Sequence, residues 1–183
     1  MERSEALAYL KEHLDNKNLV NHSIAVEQIM IALAQHFAED TQLWALAGLL
    51  HDIDYASTAK DPHLHSQVGA DILAAKGFPD ELVYAVRVHN DVHGLPRPSL
   101  LDKALFAADP LSGLIVAGAL IHPDKKLAPL TPEFILKRYG EKAFARGVNR
   151  EHMATCQELG LSLEEFVAIG LTAMQQVAQD IGL

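Results

Sequence analysis

Apolar positions along the chain recur at helical spacing almost everywhere, and no stretch alternates strictly as a half-buried strand would. Leu7, Leu10 and Leu14 share one face of a first amphipathic helix over about residues 4–14, with Ser4 placed to cap it. From about Val20 to Ala38, Ile24, Ile31 and Ala38 recur at sevens while Ile29 and Leu33 widen the stripe. Thr41 can cap a third helix whose Leu43–Leu50 run is apolar on every side, the mark of a central element. Asp54 to Pro62 reads as a polar loop. A helix from about Leu64 to Lys76 then stops at Gly77, and Pro79 starts another from the N1 position.

Asp91 to Pro98, with one Gly and two prolines, predicts a second loop. Ser99 followed by Asp102 forms a capping box opening a long apolar helix, which Pro110 should kink or break, biasing Asp109 away from regular geometry. Thr131-Pro132, Asn149 and Ser162-x-x-Glu165 mark three further helix starts. The expectation is an all-α bundle of about eight or nine helices. It is read as a single domain over residues 1–183, with a core at about 18–122 and a C-terminal helical extension at about 130–183.

Composition narrows the partners. A formal net charge of -9 repels a polyphosphate backbone and argues against duplex nucleic acid. A small anionic substrate stays open, because a bound cation inverts the local sign. The lone Cys156 allows no intrachain disulfide, so a reducing, cytoplasmic setting is the natural expectation, with the thiol serving as a small hydrophobe. The charged N-terminus, MERSEALAYLKEHLD, has no signal-peptide core. Ala104–Ile121 imitates a membrane span, but Asp109 and Pro110 interrupt it. A carboxylate there is costly unless it pairs or binds metal, so the segment reads as a buried core helix and no membrane partner is expected.

The chain holds 10 histidines, and their placement carries the chemistry. His51-Asp52 directly follows the apolar run ending at Leu50, His22 sits early in an apolar-faced helix, and Asp109 lies inside another. Ionisable groups on three hydrophobic elements meet only inside the core, where a divalent cation would satisfy all four at once.

The segments NHSIAVEQIMIALA, LAGLLHDIDY, HSQVGADILAAKGFP, AVRVHND and KALFAADPLSGLI closely resemble the HD superfamily of metal-dependent phosphohydrolases, over about residues 20–122. The resemblance implies an all-helical fold and a divalent metal held by His22, His51, Asp52 and Asp109. In two-metal relatives, histidines at the places of His65 and His89 hold a second ion, with the Asp of His-Asp bridging. One or two ions of Mn, Fe, Co, Zn or Mg are therefore expected. Many members follow His-Asp with Gly-Lys; here Ile53-Asp54 stands instead, so that lysine is missing. The Gly-Tyr-Pro motif of cyclic-dinucleotide phosphodiesterases is also absent, which disfavours that substrate.

A divalent metal acidifies bound water, and phosphoryl transfer then needs positioning and charge stabilisation. Asp54 and Asp61, in the loop beside the expected metal, are the candidates for general base or proton relay. Lys103, Arg87, Arg146 and Arg150 are the candidate phosphate partners, the last two in a basic KAFARGVNRE segment that could form a lid. His63 and His93 read as exposed loop residues, and His13, His36, His122 and His152 as surface or structural. The expected function is metal-dependent hydrolysis of a nucleotide or another small phosphorylated metabolite by metal-activated water. Its alternatives are a di-iron oxygenase using the same six ligands and a non-catalytic metal- or nucleotide-binding module. Oligomeric state stays open.

Overall fold

The computed structural model describes all 183 residues and contains no strand. Its helices are α1 (Arg3–His13), α2 (Lys17–Phe37), α3 (Thr41–Leu50), α4 (Tyr55–Thr58), α5 (Gln67–Lys76), α6 (Asp80–Val88), α7 (Leu100–Ile121), α8 (Pro132–Gly140), α9 (Arg150–Ala154), α10 (Leu163–Gln176) and α11 (Ala178–Ile181). Two 3-10 turns, Asp91–His93 and Thr155–Leu159, complete the list. The all-α expectation holds, and the additional helical segments are the short α4 and α11, too brief to leave a periodic signature in sequence.

Most starts and stops follow the local chemistry. The Ser99/Asp102 and Ser162/Glu165 capping boxes are formed, and Thr131 and Asn149 cap α8 and α9. Gly77 ends α5 at φ +86°, a left-handed conformation that suits glycine. Three caps shift from their expected positions. Glu2, in a reciprocal box with Glu5, starts α1 in place of Ser4; Asp40 caps α3 in place of Thr41; and Pro79 occupies the N-cap of α6. The first two lie one or two positions upstream of the expectation, where a neighbouring side chain serves the same need, and the third moves the start of α6 one residue downstream, to Asp80.

A single apolar cluster runs from Ala6 to Ile181, with α2, α3 and α7 at its centre. The α2–α3 crossing is set by Gly48: a Cβ there would stand 2.9 Å from the Glu27 Cα, so only glycine lets the two backbones approach this closely. His51 lies one turn beyond Gly48 and His22 little more than one turn before Glu27, so this contact brings the two imidazoles together. The apolar helix α7 is a core element, packing on α2, α6, α8, α9 and α10 with Leu105, Leu111, Leu114 and Ile115 fully buried. It runs through Pro110 as one helix, so of the expected kink or break the break does not occur. Asp109 is therefore in helical geometry, and its carbonyl is bonded by the Ser112 hydroxyl at 2.9 Å.

Candidate metal centre

Four histidines and two aspartates converge between α2, α3, α6, α7 and the segment joining α4 to α5. The carboxylate of Asp52 stands at their centre. Its Oδ2 lies 3.6 Å from His22 Nε2 and 3.4 Å from His51 Nε2. Its Oδ1 lies 3.4 Å from His65 Nε2 and 3.5 Å from His89 Nε2. Asp109 Oδ1 joins the first group at 3.1 Å from His22 Nε2 and 3.9 Å from His51 Nε2. Each oxygen of Asp52 thus faces one pair of imidazoles.

The other ring nitrogen of every histidine is already committed. His51 Nδ1 donates to the Gly48 carbonyl at 2.8 Å and His89 Nδ1 to Val86 at 2.6 Å. His65 Nδ1 donates to Asp54 Oδ1 at 3.0 Å. Because the Ser112 hydroxyl spends its proton on the Asp109 carbonyl, its oxygen accepts from His22 Nδ1 at 3.0 Å. A proton fixed at Nδ1 makes Nε2 the ligand atom of each ring once it is neutral, and all four Nε2 atoms point at the cluster. His22 Nε2 and His51 Nε2 face each other at 3.2 Å, and buried His89 Nε2 has no hydrogen-bond partner at all.

This donor set fits a divalent cation. Metal–ligand bonds of about 2.0–2.2 Å put neighbouring ligand atoms roughly 3–4.4 Å apart, and the separations above fall within that range. His22, His51 and Asp52 form one triad able to hold an ion, and Asp52, His65 and His89 form a second.

Electrostatics point the same way. His51 is fully buried, which lowers its pKa, but the Asp52 charge and hydrogen bond outweigh burial and raise it to about 9. Burial likewise raises Asp52, and the imidazolium of His51 overrides this, holding the carboxyl well below its usual range. Asp109 is lowered in the same way against its burial, chiefly through His22. A cluster that holds protons so tightly must release them to take up a cation.

Asp54 does not occupy the place of a general base. Its side chain is inaccessible, and it accepts from Ser66 N at 2.8 Å and Gly69 N at 2.9 Å as well as from His65. A carboxylate enclosed by three donors fixes a ring rather than taking a proton from water. Asp61 lies exposed at the start of the His65 turn, its Oδ1 accepting from the His63 amide at 3.0 Å.

The basic candidates also divide. Arg87 is tied to Gln67 and Asp71 across α5 and α6. Arg150 donates to six main-chain carbonyls, including those of Tyr139 at 2.7 Å and Phe144 at 2.6 Å, and so staples the 138–150 segment. Both are thereby withdrawn from phosphate binding. Lys103 lies six residues before Asp109, about 120° away around α7. Arg146 is exposed and makes no ion pair, in the loop whose Val148 rests against α7 at Gly113, one turn beyond Asp109.

Several supporting residues carried no signal of their own in the sequence. Ser66 holds φ +69°, costly for a non-glycine, through hydrogen bonds to Asp54 and to the Arg87 carbonyl. Asn90 donates to the carbonyls of Pro62 and His65, and His93 Nε2 donates to the latter at 2.9 Å. His93 is therefore half-buried and structural, a correction to its expected exposure, whereas His63 is exposed as expected. His152 stacks on Phe106 and pairs with Asp91 at 3.0 Å.

The fold and this cluster are those of the metal-dependent phosphohydrolase class built on an HD domain. The family model for the HD domain matches residues 19–114, and the chain belongs to that family. Among curated proteins it is similar to ribonuclease Y of Desulfotalea psychrophila, 36% identical over 97 residues covering 53% of this chain and 18% of that protein. Ribonuclease Y of Lactobacillus acidophilus is 27% identical over 182 residues, 97% of this chain and 33% of that one. The chain thus spans a third or less of the length of these relatives. A solved structure, a predicted HD superfamily hydrolase involved in NAD metabolism from Clostridium acetobutylicum, superposes with a TM-score of 0.50 at 20% identity, covering 94% of this chain and 98% of that one. At that identity the likeness is one of fold.

Proposed function

We propose that this chain hydrolyses a phosphate ester or anhydride of a small metabolite, with two divalent ions held by His22, His51, Asp52 and Asp109 and by Asp52, His65 and His89. The observation that carries the reading is the convergence of four Nε2 atoms on the two oxygens of Asp52, with His89 Nε2 buried and otherwise unpartnered. Divalent ions in such a site supply Lewis acidity, lowering the pKa of water and offsetting charge on phosphate oxygens. The protein's own part is positioning. Ser112, Gly48, Asp54 and Val86 lock the imidazoles, and exposed Arg146 is the cation free to meet an anionic substrate.

The net charge of -9 favours a small substrate over a long polyanion. The likeness to proteins named ribonuclease Y favours a phosphodiester as the second substrate type to test. Elemental analysis of protein purified without chelator should find about two equivalents of metal, and fewer in His22→Ala. With Mn added, a panel of nucleotides, monoesters and short RNA should show turnover that Asp52→Ala abolishes. Full activity in Asp52→Ala would overturn the reading. Bound iron with redox-dependent absorption and oxygen uptake would favour an oxygenase, and tight binding without turnover a non-catalytic module.

A further inference from the structure

A cavity of about 480 Å³ opens beside the metal cluster between α2, α7 and α11. Its location follows from helix geometry. On α7, Asp109, Gly113, Val116 and Leu120 succeed one another at intervals of four, three and four, which is one continuous stripe. On α2, His22 is followed by Asn18 one turn back toward the N-terminus, with Asn21 beside it. The groove therefore begins at His22 and at Gly113, one turn beyond Asp109, and runs along both helices away from the cluster, with Ile181 and Leu183 closing its far side.

Its chemistry differs sharply from that of the cluster. None of its lining side chains is Lys, Arg, Asp or Glu, so a second phosphate or carboxylate would find no partner. Val116, Leu120, Ile181 and Leu183 supply flat apolar contact. Beyond His22 at its mouth, the polar side chains are two carboxamides. Asn21 Nδ2 is spent on the Ile181 carbonyl at 3.0 Å, which leaves its Oδ1 as an acceptor. The Asn18 side chain makes no internal hydrogen bond and offers both a donor and an acceptor. Apolar walls with a paired donor and acceptor match a neutral heterocycle carrying the same pair on one edge, as carboxamides match adenine N6 and N7. The volume lies within the usual range for small-ligand sites, about 300–1,000 Å³.

We infer that this groove binds the nucleobase of the substrate, so that the phosphate lies at the cluster and the base between α2 and α7. This rests on the hydrolase reading for which end of the substrate is cut, while base binding itself can be read without turnover. Adenosine, which has no phosphate, serves as the probe. Titrated at millimolar concentration into metal-loaded protein, it should shift the side-chain amide NMR signals of Asn18 and Asn21 and the Gly113 backbone signal. Leu120, 55% exposed in the last turn of α7, can be changed to arginine without disturbing the core. Leu120→Arg should weaken adenosine binding about tenfold or more, and Asn18→Ala about threefold to tenfold, with unchanged metal content and thermal midpoint.

Where 5′-AMP is turned over, Leu120→Arg should also lower its kcat/KM relative to that of ribose 5-phosphate by about the same factor. Adenosine that leaves these signals unmoved, or binds Leu120→Arg as tightly as the parent, overturns the groove assignment. Adenosine bound in the groove of a protein that cleaves no phosphate ester would instead overturn the hydrolase reading and leave the groove standing. Equal kcat/KM for 5′-AMP and ribose 5-phosphate, insensitive to Leu120→Arg, would do the reverse.

Discussion

His65 and Asp54 are bound as a pair: the imidazole Nδ1 donates to Asp54 Oδ1 at 3.0 Å, while the other carboxylate oxygen accepts from the amides of Ser66 and Gly69. The two amides can only donate, so they hold an oxygen in place, and the remaining oxygen then fixes the proton of His65 at Nδ1. In Asp54→Asn the carboxamide keeps its oxygen on the two amides and turns its NH₂ toward His65, forcing the proton to Nε2. The variant should fold yet lose the ion of the second triad, with affinity down about tenfold to a hundredfold. Metal stoichiometry by elemental analysis reads this out, and retention of two equivalents would count against the pairing.

Gly69 tests the same cradle from the other side. A Cβ at this position would stand 3.2 Å from Asp54 Cγ and 3.3 Å from its Oδ1, tighter than ordinary contact. Gly69→Ala should therefore push the carboxylate off its donors and cost about 1–3 kcal/mol of stability, with weaker metal binding. Urea unfolding with and without metal gives both quantities. An unchanged midpoint and affinity would mean that the cradle has room to spare.

Protonation of the metal-free cluster sets a pH dependence with a definite sign. His51 in the folded protein is raised to about 9, above the ordinary histidine value. A raised pKa means that the folded state holds the proton more tightly. Its contribution to stability is complete below about pH 6.5 and is lost as pH climbs through about 9. Metal uptake must displace that proton, so apparent affinity should rise through the same window, by up to about tenfold per pH unit. Thermal midpoints in chelator at pH 6, 7.5 and 9 should fall from first to last, and added Mn should flatten or reverse the slope. Parallel curves with and without metal would contradict this.

Arg150 and Arg146 lie four residues apart and should behave differently. Arg150→Ala leaves several half-buried carbonyls without a donor and should destabilise the protein by about 2–4 kcal/mol, with lysine a poor substitute for the guanidinium fork. Arg146→Ala, at an exposed and unpaired position, should leave the unfolding midpoint within about 0.5 kcal/mol and raise KM for a phosphorylated substrate. Denaturation and steady-state kinetics on the two variants separate the roles. A strong kinetic effect of Arg146→Ala on kcat alone would point to contact in the transition state instead.

The all-helical architecture, the central place of α3 and α7 and most of the caps were legible because they depend on neighbours within one or two turns. The Ser99/Asp102 box and the stop at Gly77 are of this kind. The cluster residues His22, His51, Asp52 and Asp109 stood out because a polar group inside an apolar helix demands a partner. His65 and His89 were reached through family resemblance, since neither lies in a run that would mark it. Tertiary structure decided what each polar group does. It turned Asp54 inward to orient His65, committed Arg87 and Arg150 to structural partners, and drew His93 onto the His65 carbonyl. It also placed an uncharged groove beside His22. Periodicity fixes which face of a helix is apolar, but the direction of a side chain in a loop depends on donors and acceptors from segments distant along the chain, and these meet only when the helices pack.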